Sequence, residues 1–327
     1  MTRITLSRAL NEGMRRALDA DPKVMIMGED VGKLGGVFRV TDGLQKDFGE
    51  HRVMDTPLAE SGIVGTAIGL ALRGYRPVCE IQFDGFVFPA TDQIVSQLAH
   101  MRYRSRGLVS LPVVIRIPFG GGIGAVEHHS ESPEIFFAHT PGLKVVTCAN
   151  PADAYSMIQQ AIASDDPIIF FEPKRRYWDK AEVDTSAPLD AGLPLDQARI
   201  VLPGNDVTLL SYGPVVRTCV EAALAARDDG RSIEVIDLRS LSPLDVATVT
   251  ESVTRTGRCV VAHEAPVYAG LGAEIAARVT EQCFYHLEAP VLRVGGFAIP
   301  YPAAKAEDHY LPDLDRILDA VDRTFAF

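Results

Sequence analysis

The chain has 327 residues, 47% of them hydrophobic and 23% charged, and a formal net charge of −11. That length suggests about two globular domains. The acidic balance argues against nucleic acid as a partner, because neutralising phosphates needs a basic surface; a basic protein partner suits it better.

The chain opens at Met1-Thr2-Arg3-Ile4-Thr5 straight into an amphipathic pattern, which does not read as a signal peptide. Runs rich in Val, Ile and Phe predict strands at 24–28, 77–83, 112–117, 144–149 and 168–172, then at 206–211, 233–238, 258–263 and 291–295. Helical patterns fall between them at 5–20, 57–73, 89–105, 151–164, 214–227, 243–254, 272–284 and 313–324. Continuously apolar strands alternating with helices predict an α/β protein of two doubly wound domains with mostly parallel sheets. Residues 181–204, with Pro188, Gly192, Pro194 and Pro203, break that rhythm and read as a linker with extended pieces between domains at 1–180 and 205–327. The apolar run 62–72 is too short to span a bilayer, so no membrane segment is expected. Five scattered cysteines without C-x-x-C spacing read as reduced core thiols of a cytoplasmic protein.

In open parallel sheets, ligands bind beyond the carboxyl ends of strands. That rule selects Glu29 and Asp30 after strand 24–28, Phe86 after 77–83, and His128 and His129 after 112–117 and a glycine-rich loop. Glu60 stands at a strand-to-helix turn, with Thr56 read as the N-cap and Pro57 as the first-turn proline. Ile63, Val64 and Ala67 share its face. Its carboxyl thus points along apolar surface, where burial would raise its pKa and let it hold or pass a proton. A capping box is excluded, since the position three after Thr56 is Ala59.

The loop Phe119-Gly120-Gly121-Gly122-Ile123-Gly124-Ala125 matches G-x-G-x-x-A, yet no helix pattern starts there and the next strand ends without an acid. A mobile loop admitting close backbone approach is the better use of its glycines. Glu127-His128-His129 lacks a convergent third ligand, so these histidines read as acid/base or anion-binding groups. Ser61 and Ser130 lack a nucleophile elbow. By residue type alone Phe86 reads as core, and His263-Glu264 ends a later strand with no chemistry assigned.

Several segments together carry a resemblance: Met27-Gly28-Glu29-Asp30-Val31, Asp55-Thr56-Pro57 through Glu60-Ser61-Gly62, and Arg76-Pro77-Val78-Cys79-Glu80. Asp92-Gln93-Ile94, Gly120-Gly121-Gly122, His129-Ser130-Glu131-Ser132-Pro133-Glu134 and Pro141-Gly142-Leu143-Lys144-Val145-Val146 continue it. Over nearly its whole length the chain resembles the beta subunit of the thiamine diphosphate-dependent 2-oxo acid dehydrogenases, which have the transketolase-like fold. Glu80-Ile81-Gln82-Phe83, Arg102-Tyr103-Arg104-Ser105, Phe136-Phe137-Ala138-His139 and Ile169-Phe170-Phe171-Glu172-Pro173-Lys174 look more like the branched-chain than the pyruvate enzymes.

The resemblance implies oxidative decarboxylation of a 2-oxo acid and acyl transfer to the lipoyl group of an acyltransferase core. It implies an α2β2 heterotetramer whose alpha subunit supplies the Mg2+ ligands and diphosphate contacts; the family's Gly-Asp-Gly…Asn-Asn motif is absent here. Glu60 would hydrogen-bond N1′ of the aminopyrimidine ring and Phe86 would stack on it. His129 would orient the 2-oxo acid and serve lipoyl acylation, and Glu29 would lie on a route joining two active sites. Ala161, Ile162, Ser164 and Asp166 match a potassium site built mainly of backbone carbonyls. The second domain would dock the basic peripheral subunit-binding domain of the acyltransferase. Rival expectations are a pyruvate dehydrogenase beta subunit, a transketolase-like ketol transferase and a non-catalytic scaffold subunit.

Overall fold

The computed structural model describes residues 1–327, the side chain of Asp190 excepted. Seven strands form the larger sheet, in the order Ser240–Ser242, Lys144–Thr147, Ile168–Pro173, Val114–Phe119, Arg76–Glu80, Val24–Gly28 and Val53–Asp55. All neighbours run parallel except Ser240–Ser242, which pairs antiparallel with Lys144–Thr147. The strands Val24–Gly28, Val114–Phe119 and Ile168–Pro173 are buried along their whole length. Helices cover both faces of such a sheet, which is why these sequences read as unbroken apolar runs.

The helices Leu6–Ala20 and Pro151–Ala163 pack together on one face. Their starts are set locally: the Thr5 side chain accepts from Arg8 N, and Asn150 accepts from Asp153 N ahead of Pro151 at the first turn. The opposite face carries the helix Glu60–Leu72. Its core continues into the second half, because Ile63, Phe119 and Phe171 share one apolar cluster with Tyr212, Ile236 and Leu271. The smaller sheet orders Leu292–Gly296, Cys259–Pro266, Val207–Ser211, Ile233–Asp237 and Arg199–Leu202, parallel but for the last.

One helical expectation needs correction. The helix expected at 89–105 is a 3-10 turn, Asp84–Ala90, then a π-helical turn, Asp92–Leu98, and only then the α-helix Ala99–Arg104. Pro89 inside the first turn lacks the N–H that a regular helix needs. The stretch 181–204 is partly built into sheets: Lys180–Val183 pairs with Thr2–Thr5, and Arg199–Leu202 edges the smaller sheet. Ser240–Ser242, from beyond that stretch, completes the larger sheet. The five cysteines are free and buried, and among the described residues no helix is long and apolar enough to cross a membrane.

A buried polar contact joins the halves: Tyr212 Oη donates to Glu134 Oε1 at 2.5 Å. Burial, working against that hydrogen bond, pushes the Glu134 carboxyl up to about 8. Burial and the neighbouring Asp153 charge push Asp237 up to about 8 as well. A carboxyl whose folded pKa is raised favours folding while it keeps its proton. That contribution is complete below the unfolded pKa, near 4.5 for Glu134, and is lost as pH rises through about 8. Thermal stability is therefore expected to fall between pH 5 and pH 8.5, and less steeply in Glu134→Gln. Identical pH slopes for the two proteins in calorimetry would contradict this; Asp237 and the other carboxyls raised by burial account for a slope that remains.

Candidate active site

Glu29 and Glu60 leave adjacent parallel strands, Val24–Gly28 and Val53–Asp55, at their carboxyl ends. Two hydrogen bonds tie the turns together: Thr56 N donates to Gly28 O at 2.9 Å, and Gly32 N to Asp55 Oδ1 at 2.6 Å. Thr56 is thereby held to the neighbouring strand, its Oγ1 finds no partner and it does not cap the helix, contrary to the sequence expectation. The helix begins at Glu60, with Ala59 in the cap position and no side-chain cap bond. A carboxylate in the first turn complements the helix dipole. Both acids are 7% exposed. Burial, then the charges of Glu60 and Asp30, hold the Glu29 carboxyl above the usual carboxylate range, so a proton is retained beside Glu60 at higher pH than in water.

Asp30 sits in the left-handed region at φ 57°, which aspartate tolerates better than most residues. Its Oδ2 accepts from Gln82 Nε2 at 3.0 Å, linking this loop to the segment that carries Phe86. Phe86 packs against the apolar cluster that contains Ile63 and Val64. Its ring meets the imidazole of His129 edge-on at 5.1 Å, while Phe83 stacks on the same imidazole at 4.0 Å. His128 lies against both, 4.3 Å from His129 and 5.9 Å from Phe86. A Cβ at Gly85 would approach the His128 carbonyl oxygen to 2.3 Å, so glycine permits these two loops to touch.

The backbone of His129 is anchored from below. Buried Lys174 follows the strand Ile168–Pro173; its Nζ donates to the His129 carbonyl at 2.6 Å and pairs with Asp84. Asp84 Oδ2 accepts from Glu131 N at 2.8 Å. Burial pushes Asp84 up to about 6 against the pull of Lys174. Deeper still, the fully buried Arg116 is bidentate to Glu172 at 2.6 and 2.8 Å and bonded to Glu80 at 2.6 Å. Periodicity carries no sign of Asp84, Lys174 or Arg116 as positioning groups, although Asp84 stands two residues before Phe86.

The glycine-rich loop is held rather than free. Gly121 N donates to Glu264 Oε2 at 3.1 Å, and Gly122 N and Gly124 N to Glu307 at 3.0 and 2.9 Å. Gly120, Gly122 and Gly124 all have positive φ, which turns successive amides toward an anion. A Cβ at Gly121 would fall 1.8 Å from Tyr301 Oη. The loop thus does admit close backbone approach, but by carboxylates and a tyrosine of the second half. Glu264, left without a role by the sequence, is one of these clamps.

Glu29 Oε1, Thr56 Oγ1 and His129 Nδ1 are buried without a hydrogen-bond partner. Buried polar groups are normally satisfied, so this constellation fits a polar heterocycle that would supply the missing partners. The four residues Ala161, Ile162, Ser164 and Asp166 lie apart from it, in the helix Pro151–Ala163 and the turn beyond. The Ile162 and Ser164 carbonyls already accept from Arg76, at 3.1 and 3.0 Å. The Asp166 carboxylate pairs with Lys144 and Arg102. Among the described residues no cluster of three or more His, Cys, Asp or Glu is arranged to hold a metal ion.

Two linked α/β halves with paired acids at strand ends define a transketolase-like chain. Residues 2–179 match the family described as transketolase, pyrimidine binding domain, and residues 196–317 the one described as transketolase, C-terminal domain. A solved split-gene transketolase, described as an inactive beta4 tetramer, superposes with a TM-score of 0.80 over 99% of this chain and 98% of that one, at 22% identity. That likeness concerns the fold. Curated relatives narrow the class. The pyruvate dehydrogenase E1 component subunit beta of Leifsonia xyli subsp. xyli is 62% identical over 99% of this chain and 95% of its own length. The 3-methyl-2-oxobutanoate dehydrogenase subunit beta of Mycobacterium tuberculosis is 53% identical over 98% and 91%. The 2-oxoisovalerate dehydrogenase subunit beta of Pseudomonas aeruginosa is 45% identical over 99% and 95%. The chain belongs to the family of E1 beta subunits of 2-oxo acid dehydrogenases.

Proposed function

We propose that this chain supplies the aminopyrimidine half of a thiamine diphosphate site and, with an alpha subunit, oxidatively decarboxylates a 2-oxo acid and acylates a lipoyl group. The observation that carries the reading is the junction of two buried acids, Glu29 and Glu60, with the Phe86–His129 pair across parallel strand ends. Thiamine diphosphate, when bound, supplies the carbon nucleophile. Glu60, fixed at the helix start, would hold a proton against N1′ of its pyrimidine ring. Phe86 would offer the ring a flat apolar face, and Glu29 would keep a second proton close by. His129, with an unpartnered Nδ1, would hydrogen-bond the 2-oxo acid carboxylate and move a proton during acyl transfer.

The surroundings support a divided site. Leu58, two residues before Glu60, is 79% exposed, and Gly62, Gly65 and Gly69 line the uncovered side of the helix Glu60–Leu72. Such a face lets a second chain approach closely. We assign it to the alpha subunit of an α2β2 assembly, which would also bring the Mg2+ ligands. The −11 charge favours docking of a basic subunit-binding domain of the acyltransferase core.

The segments around Phe83, Tyr103, Phe137 and Phe171 favour a branched-chain substrate; the 62% identity to a subunit named for pyruvate favours that acid instead. Turnover of pyruvate against 3-methyl-2-oxobutanoate by the reconstituted pair decides between them. His129→Ala is expected to slow lipoyl acylation by about 100-fold while cofactor affinity changes little. Unchanged acylation in single-turnover assays would remove His129 from the mechanism.

A further inference from the structure

The turn that closes the helix Pro151–Ala163 is a carbonyl cage with a cation already inside it. Arg76 reaches across from its strand: Nη1 donates to Ile162 O at 3.1 Å and to Ser164 O at 3.0 Å. Nη2 donates to Asp165 Oδ1 at 2.8 Å, and Nε lies 3.7 Å from Asp21 Oδ2. The remaining positions are also taken. Ala161 O accepts from Ser164 N at 3.2 Å. The Asp166 carboxylate is paired with Lys144 at 3.0 Å and with Arg102.

A potassium ion at the Ile162 and Ser164 oxygens would sit within a few ångströms of the guanidinium. The guanidinium already takes one lone pair of each oxygen, and two like charges at that separation repel strongly where the site is only partly wet. The donor set therefore suits the guanidinium and not a bare ion. We propose that Arg76 is a tethered cation, built into the chain, that takes the place of a bound monovalent ion at this turn.

Position gives the substitution its purpose. The turn 164–167 leads into the strand Ile168–Pro173, and Lys174 just beyond it holds the His129 carbonyl. Helix C-terminal carbonyls lack intrahelical partners, and a positive charge there satisfies them and the dipole together. A covalently attached charge does so at every potassium concentration.

Thermal unfolding of the full chain in potassium, sodium and choline chloride at equal ionic strength tests this. The parent protein is expected to melt within about 1 °C in all three, because no ion binds the folded state specifically. Arg76→Ala opens the cage; its midpoint should fall by roughly 3 °C or more in choline chloride and recover part of that loss in potassium chloride. A parent midpoint raised specifically by potassium would overturn the proposal, as would an Arg76→Ala protein indifferent to the cation. If that variant does not fold, the parent's response decides alone.

Discussion

Replacing Glu60 by glutamine is expected to lower 2-oxo acid decarboxylation by about 100-fold or more in the reconstituted pair, with subunit assembly intact. The side chains match in size, and no cap bond is lost at the helix start, so the fold is undisturbed. What changes is the charge. A neutral amide can donate a hydrogen bond to a ring nitrogen, but it cannot give up and take back a proton there as a carboxyl can. Glu29 provides an independent readout: the Glu60 charge is one reason its carboxyl is raised. Its pKa should therefore drop toward the ordinary range in Glu60→Gln, measured by carboxyl NMR of the unliganded protein. Unaltered turnover would favour a scaffold subunit; an unaltered Glu29 would mean that the two acids do not share a site.

The largest stability effect is expected at Arg116. Burial works against its charge, but Glu172 and Glu80 outweigh burial and hold the guanidinium protonated. Tyr177 Oη adds a 2.7 Å bond to Glu172 Oε2. Arg116→Met would leave two buried carboxylates without their cation, a loss of about 3–5 kcal/mol on the scale of broken buried pairs. Denaturant unfolding should show it directly. Most of the loss should return when Glu80→Gln and Glu172→Gln accompany Arg116→Met, because the cost lies in the stranded charges and not in the missing contact. A triple variant no more stable than the single one would place the effect in packing instead.

Most residues of the candidate site are legible because they follow a predicted strand, directly or after one loop, and strand ends are where open parallel sheets bind ligands. Glu29, Phe86 and His129 are selected as candidates in this way, and Glu60 from its charge amid apolar neighbours. The helix at Glu60 starts later than its cap signals predict for a tertiary reason: the Thr56 N–H goes to Gly28, so Thr56 and Pro57 belong to the turn between the strand Val53–Asp55 and the helix. The positioning groups were not legible at all. Lys174 meets Asp84 across 90 positions, and Glu264 and Glu307 meet the glycine loop across 143 to 185.

By itself the sequence determined the parallel α/β class, because strands buried on both faces must be apolar throughout, and it determined which chemical groups stand at the strand ends. Only the tertiary structure decided which of those groups share a site, that the two halves share one core, and that an arginine fills the expected ion cage. The physical reason is range. Apolar periodicity and turn chemistry act between neighbours along the chain, whereas a buried charge takes whatever partner the order of strands in the sheet brings within hydrogen-bond distance.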